Sequence, residues 1–430
     1  MNMGRALWGW LAWDAALSTC LLLIGLAAAP SARAGDDAPP APNKADTPGG
    51  FGDRASGALH DKLVKELGGS DESEAAVARG LRWLALHQAP DGHWSLDNFQ
   101  KFAHKEPRPD SPIFNDGCVG GVARKDDVAA TAFALLPFLG AGYTQKPPAS
   151  RKKGDPDYSK TVKAGLDYLS DQELNGSFGG SMYSHALATI AVCEAYGMTA
   201  DRILKPTAQD AVDYIVSAQD PAGGGWRYSP RTAGDLSVTG WMLTALDTAR
   251  LAGLDVPKDA LKKAEAFLDA VSDSKGGYSY LPGSGATPAM TAVGMLCRQH
   301  LGINPRNPGL LKGVVILKEA PPGTTDNIYY EYYAAQVVFH MGGDSWDFWN
   351  KGPNGDGKYG IRDYLIARQD KLAKLDPKKA CQDGSWPPDR VWGANGGGRI
   401  MCTSLSLLTL EVYYRHLPLY RKGLAPKDKE

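Results

Sequence analysis

Cysteine is scarce in this chain of 430 residues, six in all with no close pairs, which excludes a small disulfide-framework protein. A charge excess is lacking too. Lys and Arg number 47 against 48 Asp and Glu, for a net charge of −1, so the basic surplus that nucleic acid requires is absent. Apolar residues alternate with a period of two only in short pieces, which argues against a sheet-based core. The longest clean apolar run, from Ala15 to Ala29, falls short of the ~20 residues needed to span a bilayer. What is plentiful is turn-forming and aromatic: 50 Gly, 29 Pro, 11 Trp and 18 Tyr, a composition of many ordered turns with rings packed on them.

The first residues read as an export leader. Arg5 lies in a short basic start, the apolar run follows, and Ala32-Arg33-Ala34 is a small-x-small cleavage site, so residues 1–34 are expected to be removed and the chain secreted or periplasmic. Two alternatives rank lower. An uncleaved anchor is disfavoured by Asp14 and the shortness of the run. A lipidated Cys20 is disfavoured by the bulk of Thr19 and by apolar sequence continuing beyond it. Residues 35–72 are assigned to a disordered linker, 73–421 to the folded domain and 422–430 to a disordered tail. Cys193 and Cys297 lie in apolar helical stretches and are expected in the core, while Cys381 and Cys402 are the candidates for a bridge.

Self-similarity organises the domain. The run from Arg79 to Gln88, with Trp83-Leu84 inside it, precedes Gly92-His93-Trp94. The same frame returns at Tyr214-Ile215, Gln219 and Gly224-Gly225-Trp226, and at Tyr364-Leu365, Gln369 and Gly384-Ser385-Trp386. Degenerate copies stand at Tyr168-Leu169, at Phe267-Leu268 and at Ile316-Leu317, the last without its turn. The interval is about fifty residues, long enough for two helices, and an insertion from Leu96 to Arg124 lengthens the first copy. First helices carry charge on one face, as outer helices do. Second helices, expected near Asp127, Met182, Asp235, Thr287, Tyr329 and Arg399, are apolar nearly all round and rich in Ala, Gly and Thr, which suits a buried inner ring. Six hairpins of one hand close into an all-α, α/α toroid, with Gly, Trp and Gln serving as structural clasps.

The frame from Arg79 to Trp94 resembles the QW repeat of squalene–hopene and oxidosqualene cyclases, and the hairpin series is similar to the prenyltransferase and squalene oxidase repeat superfamily. The resemblance covers about 73–419 and implies a barrel with a central pocket. Its chemistry does not carry over: the cyclases' Asp-x-Asp-Asp, the prenyltransferases' zinc-binding Asp-x-Cys and the reactive Gly-Cys-Gly-Glu-Gln of thioester barrels are all missing.

Parallel inner helices would gather their N-termini at one mouth, a place suited in principle to an anion such as a diphosphate. Asp127 and Asp235 stand there as candidate acids, although capping is the competing role. His185 occupies a position held by Thr in sister helices and is the acid-base candidate, against the plainer reading of a satisfied core histidine. Glu331 sits among phenols. Tyr183, Trp241, Tyr329, Tyr330, Tyr333 and Arg399 are the candidate ligand contacts. No metal or cofactor is expected, and Gly352 to Gly357 reads as a plain turn rather than a calcium loop. The partner expected is an apolar or isoprenoid small molecule, or a protein. A noncatalytic or diverged cyclase-like toroid is the preferred function, with a terpenoid cyclase using displaced acids, or a polysaccharide-active barrel, as the alternatives.

Overall fold

A computed structural model describes residue 54 and residues 58–103, 118–147, 156–353, 360–375, 377–391 and 393–416. The leader, most of the linker, the tail and the 354–357 part of the turn considered for calcium lie outside the described residues.

Fifteen helices are described. The outer ones are α2 (Asp71–Leu86), α4 (Ser159–Gln172), α6 (Leu204–Ser217), α8 (Lys258–Val271), α10 (Pro308–Glu319) and α13 (Ile361–Arg368). Alternating with them are the inner helices α3 (Asp127–Gly140), α5 (Met182–Thr199), α7 (Leu236–Leu251), α9 (Pro288–His300), α11 (Ile328–Met341) and α14 (Gly398–Leu410). Three more complete the set: α1 (Ala58–Leu67), α12 (Gly343–Lys351) and α15 (Val412–Arg415). The inner helices begin within a residue of where the sequence placed them. Each inner helix packs on the next in chain order, and α14 packs back on α3, so the ring is closed and the fold is an α/α toroid. No strand ladder occurs among the described residues, only isolated bridges at the turns. No described helix is long and apolar enough to cross a membrane.

Amphipathicity divides the two layers. In α8 the buried positions Ala260, Ala264, Phe267, Leu268 and Val271 repeat at helical spacing, with charged residues between them. In α11, by contrast, every residue from Ile328 to His340 is buried, because it is packed by the inner helices α9 and α14 on two sides and by α12 and α15 besides.

The Gly-x-Trp turns join one outer helix to the next. Gln88 donates to the carbonyl of Gly92 in its own turn (2.8 Å) and to Thr161 at the start of α4 (3.0 Å). Gln219 does the same with Gly224 and Ala260 of α8 (2.8 and 2.9 Å), and Gln369 with Gly384 and Ala76 of α2 (2.9 and 2.8 Å), which spans the seam between the last hairpin and the first. The paired indoles, Trp94, Trp226 and Trp386, are buried and donate Nε1 to Leu84, Ile215 and Leu365 at 2.8 Å each. Each ring contributes about 3 kcal/mol by burial alone.

Two expectations change. The stretch assigned to linker includes the helix α1, whose Leu63, Val64 and Leu67 are buried and which packs on α15. Its apolar residues at i, i+1 and i+4 form one face, a signal outweighed in the sequence by the preceding Pro- and Ala-rich segment. The bridge is not Cys381–Cys402 but Cys118–Cys381, with Cα atoms 5.6 Å apart, while Cys402 is free and buried beside Asp389. Cys118 and Val119, described residues of the insertion after the first outer helix, lie against Cys381 and Arg399 of the last hairpin. Cys193 and Cys297 are free and buried, as expected of core residues.

Candidate functional site

The beginnings of the inner helices surround a cavity of about 410 Å³. All six contribute: Ala129 from α3, Tyr183 and Ser184 from α5, Ser237 from α7, Ala289 and Met290 from α9, Tyr329 from α11 and Met401 from α14. Leu96, Phe133, Tyr228 and Tyr280 complete walls that are mainly apolar and aromatic. The opposite end of the ring is occupied by charge. Glu194 of α5 there bonds to Arg415 (3.0 Å) and to Arg54, all three buried.

Of the nominated acids, none opens onto this cavity. Asp127 is the first residue of α3, and its neighbour Asp126 is the cap, accepting the amide of Ala129 at 3.1 Å. Asp126 lines the cavity, with Ser184 donating to its other oxygen at 2.6 Å and the half-exposed Arg124 at 3.6 Å. Asp235 is fully buried, caps α7 through Val238 (2.9 Å) and has Arg227 at 3.7 Å. Burial raises its pKa. Tyr280, which does line the cavity, stands over it and next to Tyr228, hydroxyl to hydroxyl at 3.3 Å.

His185 is a clasp. In four of the other copies a Thr hydroxyl accepts the backbone N–H of the turn aromatic: Thr131 from Trp94, Thr239 from Trp226, Thr291 from Tyr278 and Thr403 from Trp386, at 2.9 to 3.1 Å. His185 Nδ1 takes this place beneath Phe178 (3.4 Å), and Nε2 donates to the carbonyl of Ala211 (3.1 Å). Burial depresses its pKa to about 4, so the ring is neutral with both nitrogens engaged. It is a buried core residue that does not line the cavity. Glu331 faces away from the cavity towards α13, in a void of about 10 Å³ beside Tyr364 and Arg368, and accepts the amide of Gly323 at 2.9 Å.

The ligand candidates divide. Tyr183 and Tyr329 line the cavity, and Trp241 and Tyr333 lie one helical turn deeper in the same aromatic cluster. Trp241 stacks on Tyr332 with centroids 5.7 Å apart and meets Phe133, Tyr183, Tyr329 and Tyr333 through edges. Tyr330 points outward instead, donating to Ala320 at 2.8 Å and packing on Trp349. Arg399 is structural as well: its guanidinium is held by Asp370 (2.6 Å), Ser385 (2.9 Å) and the Val119 carbonyl (2.8 Å), which pins the insertion to the last turn. The cavity also does not suit an anion. Asp126, Ser181, Asp235, Thr287 and Asn327 each accept one first-turn amide of their helix, which removes a donor an anion would use on five of the six inner helices, and two of the caps are acidic.

Arg124, Asp126, Tyr228 and Tyr280 are among the lining residues that the sequence did not single out as ligand contacts. They precede inner helices in turns, where no periodicity assigns a face.

This architecture has recognisable counterparts. No family model matches the chain. Over 234 residues, 50% of its length, it is 27% identical to the squalene–hopene cyclase of Bradyrhizobium diazoefficiens. Over 199 residues, 42% of its length, it is 27% identical to a probable squalene–hopene cyclase of Sinorhizobium fredii. The matched portions are 31% and 27% of those proteins, so the chain spans about a third of the length of these relatives. Among solved structures, a type II terpene cyclase from Scytonema in complex with geranylgeranyl dihydroxybenzoate superposes with a TM-score of 0.50 at 12% identity, covering 84% of this chain and 100% of that one. An α-1,6-mannanase of Salegentibacter in complex with α-1,6-mannotetrose gives 0.51 at 13%, covering 80% and 99%. The chain therefore resembles squalene–hopene cyclases and shares the toroid of terpene cyclases, a fold that also houses a glycan hydrolase.

Proposed function

We propose that this is an exported, cyclase-like toroid that binds an apolar small molecule of isoprenoid class in its central cavity, without cyclase chemistry of its own. The observation that carries the reading is the cavity at the inner-helix N-termini, walled by Phe133, Met290, Met401 and phenol rings. A volume of about 410 Å³ falls within the range of small-molecule pockets. The complex of the Scytonema cyclase with a geranylgeranyl compound supports the ligand class. Catalytic divergence rests on the missing Asp-x-Asp-Asp and on the engagement of Asp126, whose oxygens already have donors, and of Asp235, which serves as a cap beneath Tyr280. Export rests on the leader-like first 34 residues, and the Cys118–Cys381 bridge suits an oxidising compartment.

Extraction of the purified protein followed by mass spectrometry tests the pocket. An isoprenoid is expected to copurify and to be lost from Met290→Trp, whose larger side chain fills the cavity. Incubation with squalene and polyprenyl diphosphates tests the chemistry: a cyclic product that disappears in Asp126→Asn or Asp235→Asn would make the protein an enzyme. The intact mass of the mature chain is expected to begin at Gly35.

A further inference from the structure

The inner end of the cavity is polar yet uncharged. Tyr183, Ser237 and Tyr329 line it from three adjacent or facing helices, with Ser237 Oγ and the Tyr329 hydroxyl 3.3 Å apart and the Tyr183 hydroxyl beside both. One turn deeper along α7 and α11 stand Trp241 and Tyr333, each 1% exposed. Trp241 Nε1 lies near the Tyr183 hydroxyl, and the Tyr333 hydroxyl near that of Tyr329. In neither case does the geometry make a hydrogen bond, so both groups are buried without a partner. Such groups cost about 1–3 kcal/mol each when nothing satisfies them. Five uncharged hydrogen-bonding side chains thus converge at this end, while the charged lining residues, Arg124 and Asp126, belong to the segment that leads into α3.

The rest of the space sets the size. A cavity of ~150 Å³ accommodates benzene, with its six ring atoms, so by simple scaling the volume here holds about fifteen to twenty non-hydrogen atoms. A thirty-carbon hydrocarbon exceeds that. With one first-turn amide capped on five of the six inner helices and the carboxylate of Asp126 at the wall, an anionic head is disfavoured as well.

We propose that the ligand is a neutral, oxygen-bearing isoprenoid of about fifteen to twenty carbons, an alcohol or ketone, bound oxygen-first against Tyr183, Ser237 and Tyr329. The inference rests on the cavity being a ligand pocket. It adds polarity, length and orientation: the hydrocarbon tail runs back along Phe133 and Met401 towards the mouth marked by Arg124.

Titration calorimetry on the delipidated full chain, with three C20 probes, is the test: geranylgeraniol, the corresponding polyene without oxygen, and geranylgeranyl diphosphate. The alcohol is expected to bind at least tenfold more tightly than either of the others. Tyr329→Phe and Ser237→Ala, each checked for an unchanged unfolding midpoint, are expected to weaken the alcohol about fivefold and leave the polyene as it was. If the polyene equals the alcohol while Met290→Trp abolishes both, the pocket stands and the oxygen-first orientation is wrong. A diphosphate that binds tightest also overturns the proposal. If no probe binds, or Met290→Trp changes nothing, the pocket reading itself fails and this one with it.

Discussion

Glu331 is a carboxyl on a fully buried face of α11, with one backbone amide for a partner and Arg368 at a distance. Burial, the dominant cause, raises its pKa to about 8, with the Gly323 amide and Arg368 opposing and Asp389 and Asp326 adding to it. The folded chain keeps a proton that the unfolded chain releases near pH 4.5, so this contribution to stability is whole below that pH and is lost as pH rises towards 8. The loss runs at up to about 1.4 kcal/mol per pH unit. Glu331→Gln, which cannot ionise, should therefore gain on the parent protein between pH 4.5 and 8 in denaturant titrations. Parallel pH curves for the two proteins would show that Glu331 is solvated. His185 works in the opposite sense. It is neutral when folded and costs stability as pH falls below 6.5, so the comparison must be made between variant and parent rather than read from one curve.

At the scale of the element, the turn glycines explain why the hairpins pack so closely. Gly224 has φ +74°, and a Cβ there would lie 2.1 Å from the carbonyl oxygen of Lys263 on the next outer helix. Gly253 has a similar φ of +76° with open space around it. Gly253→Ala should cost about 1 kcal/mol, the backbone penalty alone, while Gly224→Ala should cost roughly 3 kcal/mol or more because helix α8 must also retreat. Equal unfolding midpoints for the two variants would refute the close-packing account. This contact recurs at every hairpin: Gly92, Gly176, Gly276, Gly323 and Gly384 each press on the following outer helix. Five of these turns were legible from the aromatic residue following the glycine. Gly323 was not, because it has neither Trp nor Gln near it and meets the ring of Tyr364 instead of a carbonyl. The faces of α11 were equally hidden: where every position is buried, no polar stripe tells Tyr329, which lines the cavity, from Tyr330, which does not.

Over the whole molecule, the order and pairing of helices were readable because each hairpin repeats the same buried and exposed pattern, and their number matched a closed ring. What could not be read were contacts made by irregular segments. Cys118 and Arg124 reach the seam and the cavity from the insertion, and Tyr228 and Tyr280 reach the cavity from turns, so neither pairing nor lining followed from periodicity. The bridge between Cys118 and Cys381 spans 263 residues of sequence and crosses the seam. Chain-entropy arguments give such a crosslink about 5 kcal/mol of stabilisation, and less where the unfolded chain retains structure. The Cys118→Ser, Cys381→Ser double variant should unfold at lower denaturant than the parent, and a reducing agent should bring the parent down to the variant's midpoint. A parent unaffected by reduction would mean that the bridge contributes nothing to stability.

The glutamine at the end of α13 reaches the second turn of α2 much as those of α2 and α6 reach the helices that follow them. A coil built this way has no first or last unit, and its circumference is set by how many steps bring the sequence of hand-holds back to its origin. Extra hairpins cannot be appended one at a time, as an open array allows, because a seventh would leave that final grip out of range. A closed ring leaves the connecting segments as the place where length can be added without breaking it, and it is there that the long insertion after the first outer helix lies and that Leu96, Arg124, Tyr228 and Tyr280 line the cavity.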